Sequence, residues 1–134
     1  MPLLQTSALT RRFPGVLALD HVDFAAEAGE VHAVCGANGA GKSTLMNLLS
    51  GTIAPTSGTI SVDGRIVSFA SPAEASAAGI AIVYQEFSSI PELTVADNIF
   101  LGREFRRRFG IVDRRAATVA AANLLCRYGI ALEP

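Results

Sequence analysis

The stretch Gly36-Ala37-Asn38-Gly39-Ala40-Gly41-Lys42-Ser43-Thr44 constrains this chain more than any other. It fits the pattern G-x-x-x-x-G-K-[ST], and each residue type in that pattern has a physical task. Glycines let backbone N–H groups turn toward an anion with no side chain in the way. A helix that starts at the lysine aims its positive end at the same place. The lysine ammonium reaches β and γ phosphates, and the hydroxyl of Ser43 is a ligand for Mg²⁺. Such a loop joins the end of a buried strand to the start of a helix, and both flanks agree. Residues 31–35 are a short apolar run. Residues 42–49 place Leu45, Met46, Leu48 and Leu49 on one helical face before Gly51 ends it. Lys42 is the only lysine among eleven basic residues. A dinucleotide-binding G-x-G-x-x-G is a poorer fit, because Gly36, Gly39 and Gly41 are spaced differently.

The remainder of the chain reads as an α/β pattern with an antiparallel addition. Residues 18–26 alternate apolar and polar as a half-buried strand does, and residues 31–35 and 80–84 read as buried strands. Residues 58–69 form two short strands joined at Asp63-Gly64, a strong hairpin dipeptide. Residues 71–79 carry a cap at Ser71, Pro72 at the first helical position, Glu74 to close a capping box, and Gly79 as a stop. A second capping box, Thr94 with Asp97, opens a helix after the Pro91 break, and residues 113–129 read as a capped, alanine-rich helix.

Composition narrows the function classes. With 134 residues, 50% hydrophobic and 17% charged, the chain is at most one domain and able to bury a core. A net charge of -1 predicts no general attraction to nucleic acid or anionic membrane. No apolar run reaches the roughly 18–20 residues that span a bilayer, and the N-terminus lacks the pattern of a signal peptide. Cys35 and Cys126 have no metal-ligand or disulfide spacing, and Cys35 is expected to be a buried thiol. His21 and His32 are expected to be core or edge histidines. Six arginines fall at 103, 106, 107, 108, 114 and 115; with no aromatic platform read among them, the expectation is a solvated, partner-facing loop.

The segments "GVLALDHVDFAAEAGEVHAVCGANGAGKSTLMNLLSGTIAPTSGTISVDG", "GIAIVYQE" and "PELTVADNIFLGRE" together resemble the ATP-binding cassette (ABC) transporter ATPases of the sugar-import type, which serve ribose, xylose, arabinose and galactose. The resemblance covers essentially the whole chain, with Ala37 where glutamate is usual and Tyr84 where histidine is common. It implies a P-loop NTPase core with an antiparallel β subdomain, with residues 1–134 as the N-terminal portion of one nucleotide-binding domain. It implies ATP and Mg²⁺ as cofactors, held by Gly36, Ala37, Asn38, Gly39, Ala40, Gly41, Lys42, Ser43 and Thr44. Phe13 matches the aromatic that stacks on adenine, the reading preferred over an apolar anchor near the N-terminus. Gln85 matches the glutamine that positions Mg²⁺ and the attacking water. Membrane-spanning permease subunits and a second nucleotide-binding domain are the implied partners, with no nucleic acid, and the implied location is the cytoplasmic face of the bacterial cell membrane.

Three motifs of a complete cassette are expected beyond Pro134. Asp20 in "VLALD", Asp113 in "FGIVD" and the Leu49-Ser50-Gly51 triplet imitate them without their context. The chain alone is therefore expected to bind Mg-ATP weakly without turning it over and to be marginally stable. A non-hydrolytic nucleotide-binding or interaction module is the alternative reading.

Overall fold

The structure is a computed structural model and describes residues 1–83 and 89–134. The chain divides into two compact units, Met1–Val83 and Tyr84–Pro134.

The first unit is built on a four-stranded antiparallel sheet with the order β2-β1-β3-β4, formed by Leu4–Phe13 (β1), Val16–Ala26 (β2), Ser57–Val62 (β3) and Arg65–Val67 (β4). Pro14 and Gly15 turn β1 into β2; proline fixes one dihedral and Gly15 takes φ 78°, the combination that suits a type II turn. Asp63 and Gly64 turn β3 into β4 with φ 49° and 71°, both positive as a type I′ hairpin requires, so the expected hairpin at this dipeptide forms.

β1 was not legible as a strand. Its inward residues are Thr6, Leu9 and Thr10, a sequence that breaks period-2 alternation. Register shifts on both sides of Leu9 and the positive φ of Ala8 (47°) explain the break, because a bulge resets which face each side chain occupies. The two buried threonines are satisfied within the sheet. Thr6 Oγ1 donates to the Val22 carbonyl (3.0 Å), and Thr10 Oγ1 donates to the Ala8 carbonyl (3.2 Å) while accepting from His21 N–H (3.1 Å).

Helix Lys42–Leu49 (α1) contributes Leu45, Leu48 and Leu49 to a core with Leu9, Leu19 and Ile60 from the strands. Met46, expected on the same face, is exposed. The helix ends in paired bonds, Gly51 N–H to the Leu48 carbonyl (3.2 Å) and Thr52 N–H to the Asn47 carbonyl (2.9 Å), the Schellman arrangement that uses up the last free carbonyls. Helix Pro72–Ala77 (α2) follows, with Ser71 Oγ accepting from Glu74 N–H (3.4 Å). Glu74 reaches back one residue further than a capping box requires and accepts from Ala70 N–H (2.9 Å).

Two expectations fail in this unit. Residues 31–35 and 80–83 form no strand; Val31 is 99% exposed and Val83 92%. Cys35 is exposed as well, not a buried thiol, because the strand that would have enclosed it is not paired. His21 lies exposed on the edge strand β2 with its ring against Asp20, which agrees with an edge histidine.

In the second unit, helix Val95–Ile99 (α3) starts at Thr94, whose hydroxyl accepts from Asp97 N–H (3.1 Å). Helix Arg114–Arg127 (α4) starts at Asp113, whose carboxylate accepts from Ala116 N–H (3.1 Å). Ala96, Ala117, Ala121 and Leu125 are buried. Both caps are the residues their spacing predicts. Among the described residues no helix is long and apolar enough to cross a membrane.

Candidate functional site

Residues 36–44 run from an exposed irregular segment into the first turn of α1. Gly41 occupies the N-cap with φ 90°, and glycine is demanded there twice over. A Cβ at this position would lie 2.5 Å from the Ala18 carbonyl oxygen and 2.8 Å from a Leu19 methyl, so the loop can lie this close to β2 only without a side chain. The start of α1 is thus pinned against the sheet by a backbone contact.

The helix begins without a cap: no side chain accepts from its first amides, and no acidic residue lies in its first turn. Its first internal bond runs from Leu45 N–H to the Gly41 carbonyl (2.9 Å). The amides of Lys42, Ser43 and Thr44 therefore have no acceptor within the helix. Aligned amides at a helix start carry a partial positive charge, which favours an anion.

Lys42 adds a full charge in the same place. Its Nζ donates to the carbonyls of Gly36 (2.7 Å) and Ala37 (2.8 Å), folding the side chain back across its own loop. Ala40 N–H donates to the Ala37 carbonyl (3.2 Å), which tightens the turn between them. A cation held only by neutral carbonyls, beside unpaired amides and with no carboxylate bonded to it among the described residues, has the chemistry of an anion site. Ser43 is exposed and Thr44 half-buried at the first turn. Among the described residues no three His, Cys, Asp or Glu side chains group as a metal site, so a divalent ion here would depend on the Ser43 hydroxyl and on ligand oxygens.

Ahead of the loop, Glu30 accepts from Glu27 N–H (2.8 Å) and bonds to His32 Nε2 (2.8 Å). The Glu27 N–H first, and then His32, hold the Glu30 carboxyl below its usual range. The His32 ring packs edge-on to Phe24, with centroids 5.3 Å apart, but His32 is exposed and outside any strand, so it is neither the core nor the edge histidine expected.

Phe13 ends β1 in the same unit, paired with Val16 across the Pro14-Gly15 turn. One feature beside it escaped sequence reading. The Arg11 guanidinium lies over the Phe13 ring at 4.6 Å while its Nη1 donates to the Ala54 carbonyl (2.7 Å). Residues two apart on a strand share a face, so the signal was available at residues 11 and 13. Gln85 lies outside the described residues. Asn98 was also missed: its side chain accepts from Ile90 N–H (2.7 Å) and donates to the carbonyls of Ile90 (3.0 Å) and Thr94 (3.0 Å), stapling the loop that leads into α3. A single asparagine on a five-residue helix carries no sequence pattern that would reveal this.

The family model "ABC transporter" matches residues 19–131. The chain is 56% identical over 133 residues to "Ribose import ATP-binding protein RbsA 1" of Rubrobacter xylanophilus, covering 99% of this chain and 26% of that protein. It is 50% identical over 132 residues to "Putative ribose/galactose/methyl galactoside import ATP-binding protein 1" of Agrobacterium fabrum, covering 98% of this chain and 26% of that one. It thus spans about a quarter of the length of these curated relatives. Among solved structures, a nucleotide-free ATP-binding cassette from an ABC transporter superposes with a TM-score of 0.69 at 28% identity, over 90% of this chain and 46% of that one. The ATP-binding cassette MJ1267 gives 0.67 at 31% identity, over 76% of this chain and 40% of that one. An α/β fold with an antiparallel sheet, the loop Gly36–Ser43 at the start of α1, and these matches lead to one conclusion: the chain belongs to the ABC transporter family.

Proposed function

We propose that residues 1–134 are the N-terminal portion of one nucleotide-binding domain, in an ATP-binding subunit that drives the import of a sugar. The observation that carries this reading is the Lys42 ammonium folded against the Gly36 and Ala37 carbonyls, beside an uncapped helix start. In the proposed complex the γ and β phosphates replace those carbonyls as partners of Lys42, and the amides from Gly39 to Thr44 face the phosphate oxygens. Bonds from the ammonium to anionic phosphate outweigh those to the neutral carbonyls they displace. The Ser43 hydroxyl and Gln85 contribute oxygen ligands to Mg²⁺, and Gln85 positions the attacking water. Adenine stacks on the face of Phe13 opposite Arg11, a face that needs only a flat π surface. The relatives' names supply the sugar class. Membrane-spanning permease subunits and a second nucleotide-binding domain complete the machine on the cytoplasmic face of the membrane.

Calorimetry of ATP, ADP and adenosine binding to the wild-type chain and to Lys42→Ala tests the site. The variant is expected to lose about 1.5–3 kcal/mol for ATP, the range for hydrogen bonds to charged groups, and almost nothing for adenosine. Equal ATP affinity in the two proteins would remove the phosphate-site reading. Phe13→Ala is expected to cost about 1 kcal/mol for ATP and for adenosine alike. No change for either ligand would make Phe13 a packing residue.

A further inference from the structure

Residues 105–113 fold back on themselves as a short hairpin inside the second unit. Asp113 N–H donates to the Phe105 carbonyl (2.7 Å), Arg107 N–H to the Ile111 carbonyl (2.7 Å), and Gly110 N–H to the Arg107 carbonyl (3.1 Å). Arg106 and Val112 pair as an antiparallel bridge. The foot of the hairpin is braced. Arg107 donates twice to Asp113, at 2.5 and 2.9 Å, and Phe105 packs edge-on to Phe100 with centroids 4.9 Å apart. The expectation of a loop without aromatics is therefore overturned, since two phenylalanines lie among the arginines.

The tip has a different character. Phe109 adopts φ 70°, a conformation that bulky residues rarely take, and its ring is 90% exposed. The Arg108 guanidinium lies over that ring at 5.6 Å. Ile111, on the returning arm, is 65% exposed. Of the six arginines here, Arg106 is bonded to Glu104 and Arg107 to Asp113. Arg103, Arg108, Arg114 and Arg115 are exposed and have no ion-pair partner among the described residues. Net charge across the chain is -1, so this is a local excess of positive charge around a protruding apolar tip.

We infer that the hairpin is a membrane-contact element, with Phe109 and Ile111 entering the headgroup layer of an anionic bilayer and Arg103, Arg108, Arg114 and Arg115 meeting lipid phosphates. The physics is that of interfacial anchoring: an apolar group gains by leaving water, and arginine stems lie along it while their guanidinium groups stay with the phosphates. A lipid surface fits better than an RNA strand, because Phe105 is packed against Phe100 and Ile111, the other exposed apolar side chain near the tip, has no ring to stack a base on. It fits better than an acidic protein surface, because a protruding ring needs a matching pocket in a protein and none in a bilayer.

The test is co-sedimentation of the 134-residue chain with vesicles of phosphatidylcholine alone and with about a quarter phosphatidylglycerol, at a Debye length near 10 Å. Binding is expected with the anionic vesicles only. It should weaken roughly fivefold for each of Arg108→Gln, Arg114→Gln and Arg115→Gln. Phe109→Gly should weaken it about tenfold, with an unchanged circular dichroism spectrum, since glycine takes φ 70° freely. The chain contains no tryptophan, so Phe109→Trp supplies a single reporter whose emission should shift to the blue on anionic vesicles. Equal binding to neutral vesicles, no binding, binding indifferent to Phe109→Gly, or unshifted emission in sedimented protein would each overturn the inference. Capture on polyglutamate without vesicle binding would also overturn it and assign the hairpin to an acidic protein surface.

Discussion

Two kinds of segment in the first unit contrast in sequence and in outcome. β1 and β3 are paired in a sheet and bury Thr6, Leu9, Thr10 and Ile60; residues 31–35 and 80–83, more uniformly apolar than either, pair with no strand, the first exposed throughout and the second no more than half-buried. The difference lies in where each segment finds its partners. β2 returns to β1 across a two-residue turn, and β4 returns to β3 across another, so those ladders close locally. A parallel pair needs a crossover of a dozen or more residues, and its strands stay hidden only when both faces are covered. Among the described residues nothing pairs with 31–35 or 80–83. Apolar composition describes what a segment gains from burial. It does not supply the backbone partner that a buried strand must have.

Amide hydrogen exchange gives the strongest test of that contrast. Amides of β1 should exchange at least about a hundredfold more slowly than those of residues 31–35, since the first must break a central ladder and the second has none to break. Comparable protection in the two segments would show that 31–35 is paired in solution. Side-chain truncation sharpens the same comparison. Leu48 is 1% exposed, and Leu48→Ala should cost about 2–5 kcal/mol in denaturant unfolding. Val31→Ala should change stability by no more than about 0.5 kcal/mol. Equal costs would place Val31 in a core.

The smallest expected effect comes from the second unit, at the hydrogen bonds around Asp113. Asp113 both accepts from Arg107 and caps α4, and Arg107 first, then the Ala116 amide, hold its carboxyl below the ordinary value of 3.8. A group whose folded pKa is lowered contributes stability above its unfolded value and loses that contribution as pH falls through the folded value. The start of α4 should therefore loosen as pH drops below about 4, read from the Ala116 amide resonance. Asp113→Asn should flatten that titration while keeping a capping oxygen. A titration that survives the substitution would place its origin in Glu104, which is also held low by its own N–H and then by that of Gly102.

The elements that were legible in the sequence share one property. The loop at 36–44, the caps Ser71, Thr94 and Asp113, and the turn Asp63-Gly64 each depend only on residues within one short stretch of chain. β1 was hidden because its bulge at Ala8 and Leu9 answers to two neighbours, Asp23 through the Ala8 amide and β3 on the other side. Arg11 over Phe13 obeyed strand periodicity but only within a strand that had not been recognised.

The sequence by itself determined the loop from Gly36 to Thr44, the helix that follows it and the family, because backbone dihedral freedom, helix start signals and residue order are local quantities. Tertiary structure alone decided that Gly41 must touch the Ala18 carbonyl and that two apolar runs stay unpaired. Those outcomes depend on which distant backbone arrives beside each residue, and a hydrogen-bond donor or a buried face has a definite energy only once its partner is in place.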